Sequence, residues 1–169
     1  MATLAQVAIE TYLKTSYHPD RDYVDGEIEE RHLGEFDHAE LQTAIAAWFH
    51  SHRKEWNIYA LTEQRVRISA TRVRIPDVCL VSRDLPIEQV ITHPPVAVVE
   101  ILSPEDRVRR YNDRLEDYRT MGVKNIWVLD PATRSGFDWV AGWHEVLRFE
   151  VAGTPIFLDV RELFESLQE

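Results

Sequence analysis

Two short apolar runs constrain the fold more than any other part of the chain. They are Arg74-Ile75-Pro76-Asp77-Val78-Cys79-Leu80-Val81 and Val96-Ala97-Val98-Val99-Glu100-Ile101-Leu102-Ser103. Each has the length and composition of a buried strand, and each carries one acid, Asp77 or Glu100. A carboxylate in a core strand is costly unless something compensates it. Two of them, on strands that can lie side by side, suggest a shared compensator, a divalent cation held by oxygen ligands. The backbone carbonyl near Ile101 would add one more oxygen. Such an ion activates water and stabilises charge on phosphate oxygens, so the pair points to phosphodiester chemistry. The same spacing also fits two acids at strand ends that salt-bridge to arginines, and spacing alone does not separate the two.

Around these runs the pattern predicts a mixed α/β order. Leu4 to Leu13 reads as a short helix, and Asp25-Gly26 as a tight hairpin turn within Tyr23–Ile28. A long helix is expected from about Asp37 to Trp56, opened by Asp37 with Glu40 and burying Leu41, Ile45, Trp48 and Phe49. Strand-like runs follow at Asn57–Leu61, Arg65–Ser69, Val73–Val81 and Val96–Leu102. Ser103-Pro104-Glu105-Asp106 reads as a helix start, with the helix running to Met121 and stopped by Gly122. Val123–Asp130 returns as a buried strand, which predicts a parallel crossover from Val96 to Asp130. Phe137–Val151 suggests an antiparallel hairpin around Ala141-Gly142, and Asp159–Leu167 a closing helix. A mixed central sheet flanked by helices follows.

The 169 residues suit one domain spanning 1–169. Cys79, the lone cysteine, sits in an apolar run and reads as a small buried hydrophobe. No N-terminal stretch resembles a signal peptide and no segment is apolar enough to span a bilayer, so a cytoplasmic protein with no membrane partner is expected. Lys and Arg total 19 against 29 Asp and Glu, a formal charge of −10. Nucleic-acid binding through the overall field is thereby disfavoured, and a local basic surface would have to serve. Arg65, Arg67, Arg72 and Arg74, with Arg107, Arg109 and Arg110, are the candidates; neutralisation of the helix arginines by Asp113, Glu116 and Asp117 is the competing reading.

Pro76-Asp77, followed by Glu100 in an apolar strand, resembles the PD-(D/E)XK nuclease pattern, and more specifically the Uma-type (Uma-two) family of restriction endonucleases. The matching residues are Tyr23-Val24-Asp25-Gly26-Glu27, His38, Arg74-Ile75-Pro76-Asp77-Val78 and Val99-Glu100-Ile101-Leu102-Ser103-Pro104. They continue through Asp113-Arg114-Leu115-Glu116-Asp117-Tyr118, Gly122-Val123 and Ile126-Trp127-Val128-Leu129-Asp130-Pro131. The resemblance implies a restriction-endonuclease-like fold and a Mg²⁺-dependent (or Mn²⁺-dependent) site acting on DNA. Asp77 and Glu100 would be metal ligands, Glu27 an additional acid near the metal, and His38 an auxiliary residue. Without the resemblance, Glu27 reads as an exposed strand residue and His38 as a polar residue of a helix's first turn.

The departure from the pattern is a lysine. Where the nuclease motif has one after the second acid, this chain has Leu102; where the resembled family moves it to the next helix, the chain has Arg114. Arg107, Tyr111, Arg114 and Tyr118 step by four, three and four and share a helix face, so Arg114 can lean towards Glu100. Arginine keeps the positive charge that steadies a phosphorane-like transition state but cannot serve as a base. Two functions therefore stand: a metal-dependent DNA endonuclease using Asp77, Glu100, Arg114 and Glu27, or a weakened or inactive nuclease-fold interaction module, possibly a homodimer.

Overall fold

A computed structural model describes residues 5–31, 34–104 and 108–167, with the side chains of 108–110 left aside. The chain order is α1 (Ile9–Leu13), β1 (Asp22–Val24), β2 (Glu27–Glu29), α2 (Phe36–Ser51), β3 (Ile58–Thr62), β4 (Val66–Ser69), β5 (Arg72–Arg74), β6 (Val78–Ser82) and β7 (Ala97–Ile101). It continues with α3 (Val108–Met121), β8 (Ile126–Asp130), β9 (Ser135–Trp139), β10 (Trp143–Val146), β11 (Arg148–Glu150), β12 (Phe157–Asp159) and α4 (Val160–Ser166).

A six-stranded sheet, ordered β10-β9-β8-β7-β6-β3, forms the centre. Only β7 and β8 run parallel, joined through α3 as the crossover pattern predicts; the other neighbours are antiparallel. Side chains alternate cleanly across it. Val99, Ile101, Trp127 and Leu129 pack with Leu41, Ile45 and Phe49 of α2 on one face. Val98, Ile126 and Val128 pack with Tyr111, Leu115 and Tyr118 of α3 on the other. Glu100, one step from Val99, therefore points to the α3 face. Among the described residues no helix is long and apolar enough to cross a membrane.

The largest departure from the pattern is at Ile75-Pro76-Asp77. One strand is expected over Val73–Val81, but it divides into β5 and β6, which belong to different sheets. Pro76 has no N–H to continue a ladder. The freed backbone is used elsewhere: the Ile75 N–H donates to Asp22 Oδ1 at 3.1 Å, and the Asp77 carbonyl accepts from Gln42 Nε2 at 2.9 Å. The second sheet, β2-β1-β5-β4, begins with the expected hairpin, whose turn has positive φ at Asp25 (49°) and Gly26 (94°).

Three boundaries also move. The first helix starts only at Ile9, because Ala8 is extended and the Val7 N–H is drawn to the Gly26 carbonyl at 2.9 Å. Helix α2 opens at Phe36 behind Glu35, without a side-chain cap, so Asp37 lies within the first turn instead of capping it. It ends at Ser51, and Trp56 reaches the core from the following turns, 7% exposed. The predicted start of α3 at Ser103–Asp106 lies partly outside the described residues. Its end is as predicted: Gly122 has φ +105°, and Gly122 and Val123 donate to the carbonyls of Arg119 and Tyr118, the paired bonds of a Schellman stop. Asp159 caps α4, accepting from the Glu162 N–H at 2.9 Å. Cys79 is fully buried, and burial pushes its thiol pKa up.

Candidate active site

The division at Pro76 puts Asp77 at the mouth of β6, and the register pairing Val78 with Val99 brings Asp77 opposite Glu100 one step on. The two acids predicted from sequence are thus side by side on adjacent strands. Asp77 is 3% exposed and Glu100 1%. Asp77 Oδ2 accepts from the Ile101 N–H at 2.8 Å; Oδ1 meets Arg31 Nη2 at 3.0 Å and His38 Nε2 at 3.3 Å. Glu100 Oε1 accepts from the Tyr118 hydroxyl at 2.6 Å and from Arg114 Nη1 at 3.2 Å. Arg114 leans towards Glu100 as helical spacing predicts, and its Nη2 also reaches Asp22 Oδ2 at 2.7 Å.

These contacts set the two carboxyls apart. Burial alone would raise Asp77, but the His38 hydrogen bond, the charges of His38 and Arg31 and the Ile101 amide outweigh it and hold its pKa below the usual carboxylate value. Glu100 goes the other way. Burial pushes it up to about 7; Arg114 pulls against that, and the neighbouring Asp77 charge adds to it. The His38 hydrogen bond to Asp77 raises the imidazole pKa above its ordinary value.

A cleft of about 250 Å³ opens over this cluster, lined by Arg31, His38, Gln42, Asp77, Ile101 and Arg114 among others. Glu100 does not line it. The Ile101 carbonyl accepts from the Tyr111 hydroxyl at 3.0 Å. The hard-oxygen donors at the strand pair are two carboxylates and this carbonyl, Glu30 and Glu63 also line the cleft, and no three His, Cys, Asp or Glu side chains converge as a ligand set among the described residues. That donor set fits Mg²⁺ or Mn²⁺, which accept few protein oxygens and fill the rest of the shell with water or phosphate. Glu100, with its raised pKa, is the carboxylate that an added positive charge would favour most.

Glu27 is not brought to this cluster. It is exposed next to the hairpin turn, opposite Val24, while the far end of the hairpin carries the acids that reach inward. Asp22 is fully buried and contacts Arg74 and Arg114; Glu29 contacts Arg74 at 3.1 Å. Sequence reasoning missed Arg31, Asp22 and Gln42. No motif marks them, since each meets its partner across 35 or more residues.

Of the four arginines expected to form a basic surface at β4 and β5, Arg67 donates to the backbone carbonyls of Ser69 and Ala70, and the other three are in ion pairs instead. Arg74 is buried between Asp22, Glu29 and Asp117; Arg72 pairs with Asp25 and Asp117, and Arg65 with Asp20. Of the acids expected to neutralise the arginines of α3, Asp117 serves β5, and Glu116 pairs with Arg119. The side chains of Arg107, Arg109 and Arg110 lie outside the described residues.

Residues 10–149 match the family model Uma2, described as "Putative restriction endonuclease". The chain belongs to the Uma2 family. A solved structure with the same fold is "a putative nuclease belonging to DUF820 from Anabaena variabilis ATCC 29413", with a TM-score of 0.78 at 18% identity over 95% of this chain and 99% of that one. At that identity the likeness speaks for the fold alone, a restriction-endonuclease-like mixed sheet flanked by helices. No curated protein matches this Uma2 chain.

Proposed function

We propose that this Uma2 protein is a metal-dependent DNA endonuclease. The observation that carries the reading is the Asp77–Glu100 pair, buried on adjacent strands, with Asp77 opening to a cleft and the basic side chains Arg31, His38 and Arg114 in direct contact with the two carboxylates. Asp77, Glu100 and the Ile101 carbonyl would hold Mg²⁺ or Mn²⁺. When bound, the ion supplies a water of lowered pKa and neutralises charge on the scissile phosphate. Arg114 lines the cleft and stays protonated, so it stabilises charge without moving a proton. The same side chain keeps Glu100 oriented between Tyr118 and itself. His38 lines the cleft with its Nε2 on Asp77 Oδ1, so it holds the Asp77 carboxylate in place. Glu27, exposed by the hairpin turn, has no part in this site.

Calorimetric titration of Mg²⁺ and Mn²⁺ into the wild type and an Asp77→Ala, Glu100→Ala variant tests the assignment. Binding that is lost in the variant is expected, and equal or absent binding in both would remove the ligand roles. One observation favours a second reading, a nuclease fold that does not cut. Arg31 and Arg114 already compensate both carboxylates, so the fold does not require a metal to balance them. An interaction module, as a homodimer or otherwise, would then bind metal weakly and leave DNA intact.

A further inference from the structure

Beside the acid cleft lies a larger cavity of about 560 Å³, and His38, Ser103 and Tyr111 line both. Its size is within the range of small-molecule sites, about 300–1,000 Å³. Tyr111, Phe137 and Trp143 supply an aromatic wall. That wall is fixed in place: Trp143 Nε1–H donates to Asn112 Oδ1 at 3.0 Å, and its ring meets Phe137 edge-to-face with centroids 5.6 Å apart. The Tyr111 hydroxyl is tied to the Ile101 carbonyl at 3.0 Å. Glu35, Asp37 and Asp130 also line the cavity. Carboxylates there repel phosphate and accept hydrogen bonds from amino groups.

We propose that this cavity holds an unpaired nucleobase of the strand whose phosphate lies at Asp77, and that the protein acts on single-stranded or locally unpaired DNA. The inference rests on the nuclease reading and names its substrate class. Base–aromatic stacking requires a ring released from a duplex, since a paired base cannot present its face to Trp143 or Phe137. An amino-bearing base edge suits the acids, while the backbone stays outside with the cleft arginines. The charge balance agrees. At −10 overall, and with Arg65, Arg72 and Arg74 already ion-paired, the described part of the expected basic cluster leaves Arg67 for a duplex's phosphates. Stacking would have to supply much of the affinity.

The test separates base binding from cleavage by working in EDTA. Fluorescence anisotropy of a labelled short oligo(dC) strand and of its duplex with oligo(dG) is followed with wild type, Trp143→Ala and Trp143→Phe. The single strand should bind more tightly than the duplex, and Trp143→Ala should weaken it about tenfold. Trp143→Phe keeps a stacking face and should retain most of the affinity. A wild-type arm avoids any folding defect of the variants: a strand carrying 5-iodocytosine is photocrosslinked and the adduct mapped by mass spectrometry. Adducts on Tyr111, Phe137 or Trp143 are expected. Equal affinity for duplex and single strand, or adducts only elsewhere, would overturn the proposal, even if metal-dependent cleavage were intact. Conversely, single-strand binding that maps to the cavity without cleavage under Mg²⁺ or Mn²⁺ would sink the nuclease reading and leave the base site standing.

Discussion

Arg31 and Arg114 hold the two carboxylates in different ways. Arg31 sits on Asp77 Oδ1, at the face open to the cleft, so it competes with any cation that Asp77 would bind. A charge-assisted bond of this kind contributes about 1.5–3 kcal/mol. Arg31→Ala should therefore tighten Mn²⁺ binding by roughly tenfold, read by calorimetry; unchanged or weaker binding would show that Arg31 does not compete. Arg114 spans Glu100, Asp22 and the Ile75 carbonyl with its forked nitrogens. A lysine is a single point charge and cannot span all three. Arg114→Lys should lower stability by about 1–3 kcal/mol in urea and lower any cleavage rate. A variant that cleaves faster than wild type would mark the arginine as damage to the site. Glu100 gives a pH signature. Its carboxyl is raised from 4.5 to about 7, so the folded state binds the proton more tightly than the unfolded chain does. Stability from this group is present below 4.5 and is lost as pH rises through about 7. Glu100→Gln, melted without metal, should gain on wild type as pH rises across that window, and a constant difference would contradict the burial argument.

At the scale of elements, the legible parts are those with short-range signals. The Asp25-Gly26 turn, the β7–α3–β8 crossover, the stop at Gly122 and the face shared by Tyr111, Arg114 and Tyr118 all follow from local chemistry or helical spacing. The pairing of Asp77 with Glu100 was legible only as two acid-bearing strands that can lie side by side; run length fixes neither neighbour nor register, which the packed sheet decides. What local pattern could not give is where the chain leaves one sheet for another. The division at Ile75-Pro76-Asp77 depends on Asp22 and Gln42, which are 53 and 35 residues away in the chain. Arg31 and the ion pairing of Arg72 and Arg74 were illegible for the same reason, and so was the isolation of Glu27, which depends on which end of the hairpin faces α3. The end of α3 has its own test. A side chain at φ +105° is strained, so Gly122→Ala should cost about 1–2 kcal/mol. Because the Gly122 stop fixes the turn in which Tyr118 lies, the variant should also weaken metal binding. Denaturant melts and calorimetry on the same sample would show both effects together; loss of neither would mean that the stop does not position the site.

For the whole molecule, acidic charge and a nuclease fold are reconciled by where the charge lies. Arg72 and Arg74 of β5 are tied to Asp117 of α3 and Arg65 to Asp20, and the basic groups of the cleft, Arg31, His38 and Arg114, lie against Asp77 and Glu100. Such a surface suits local contacts with a strand more than a broad electrostatic grip on a duplex. The most direct test is a cleavage assay with purified protein on plasmid and single-stranded DNA, using Mg²⁺ or Mn²⁺ with an EDTA control and the Asp77→Ala, Glu100→Ala variant alongside. Metal-dependent strand scission by the wild type, absent with EDTA and absent in the folded variant, is the predicted result. Intact DNA under both metals, or scission undiminished in the variant, would contradict it.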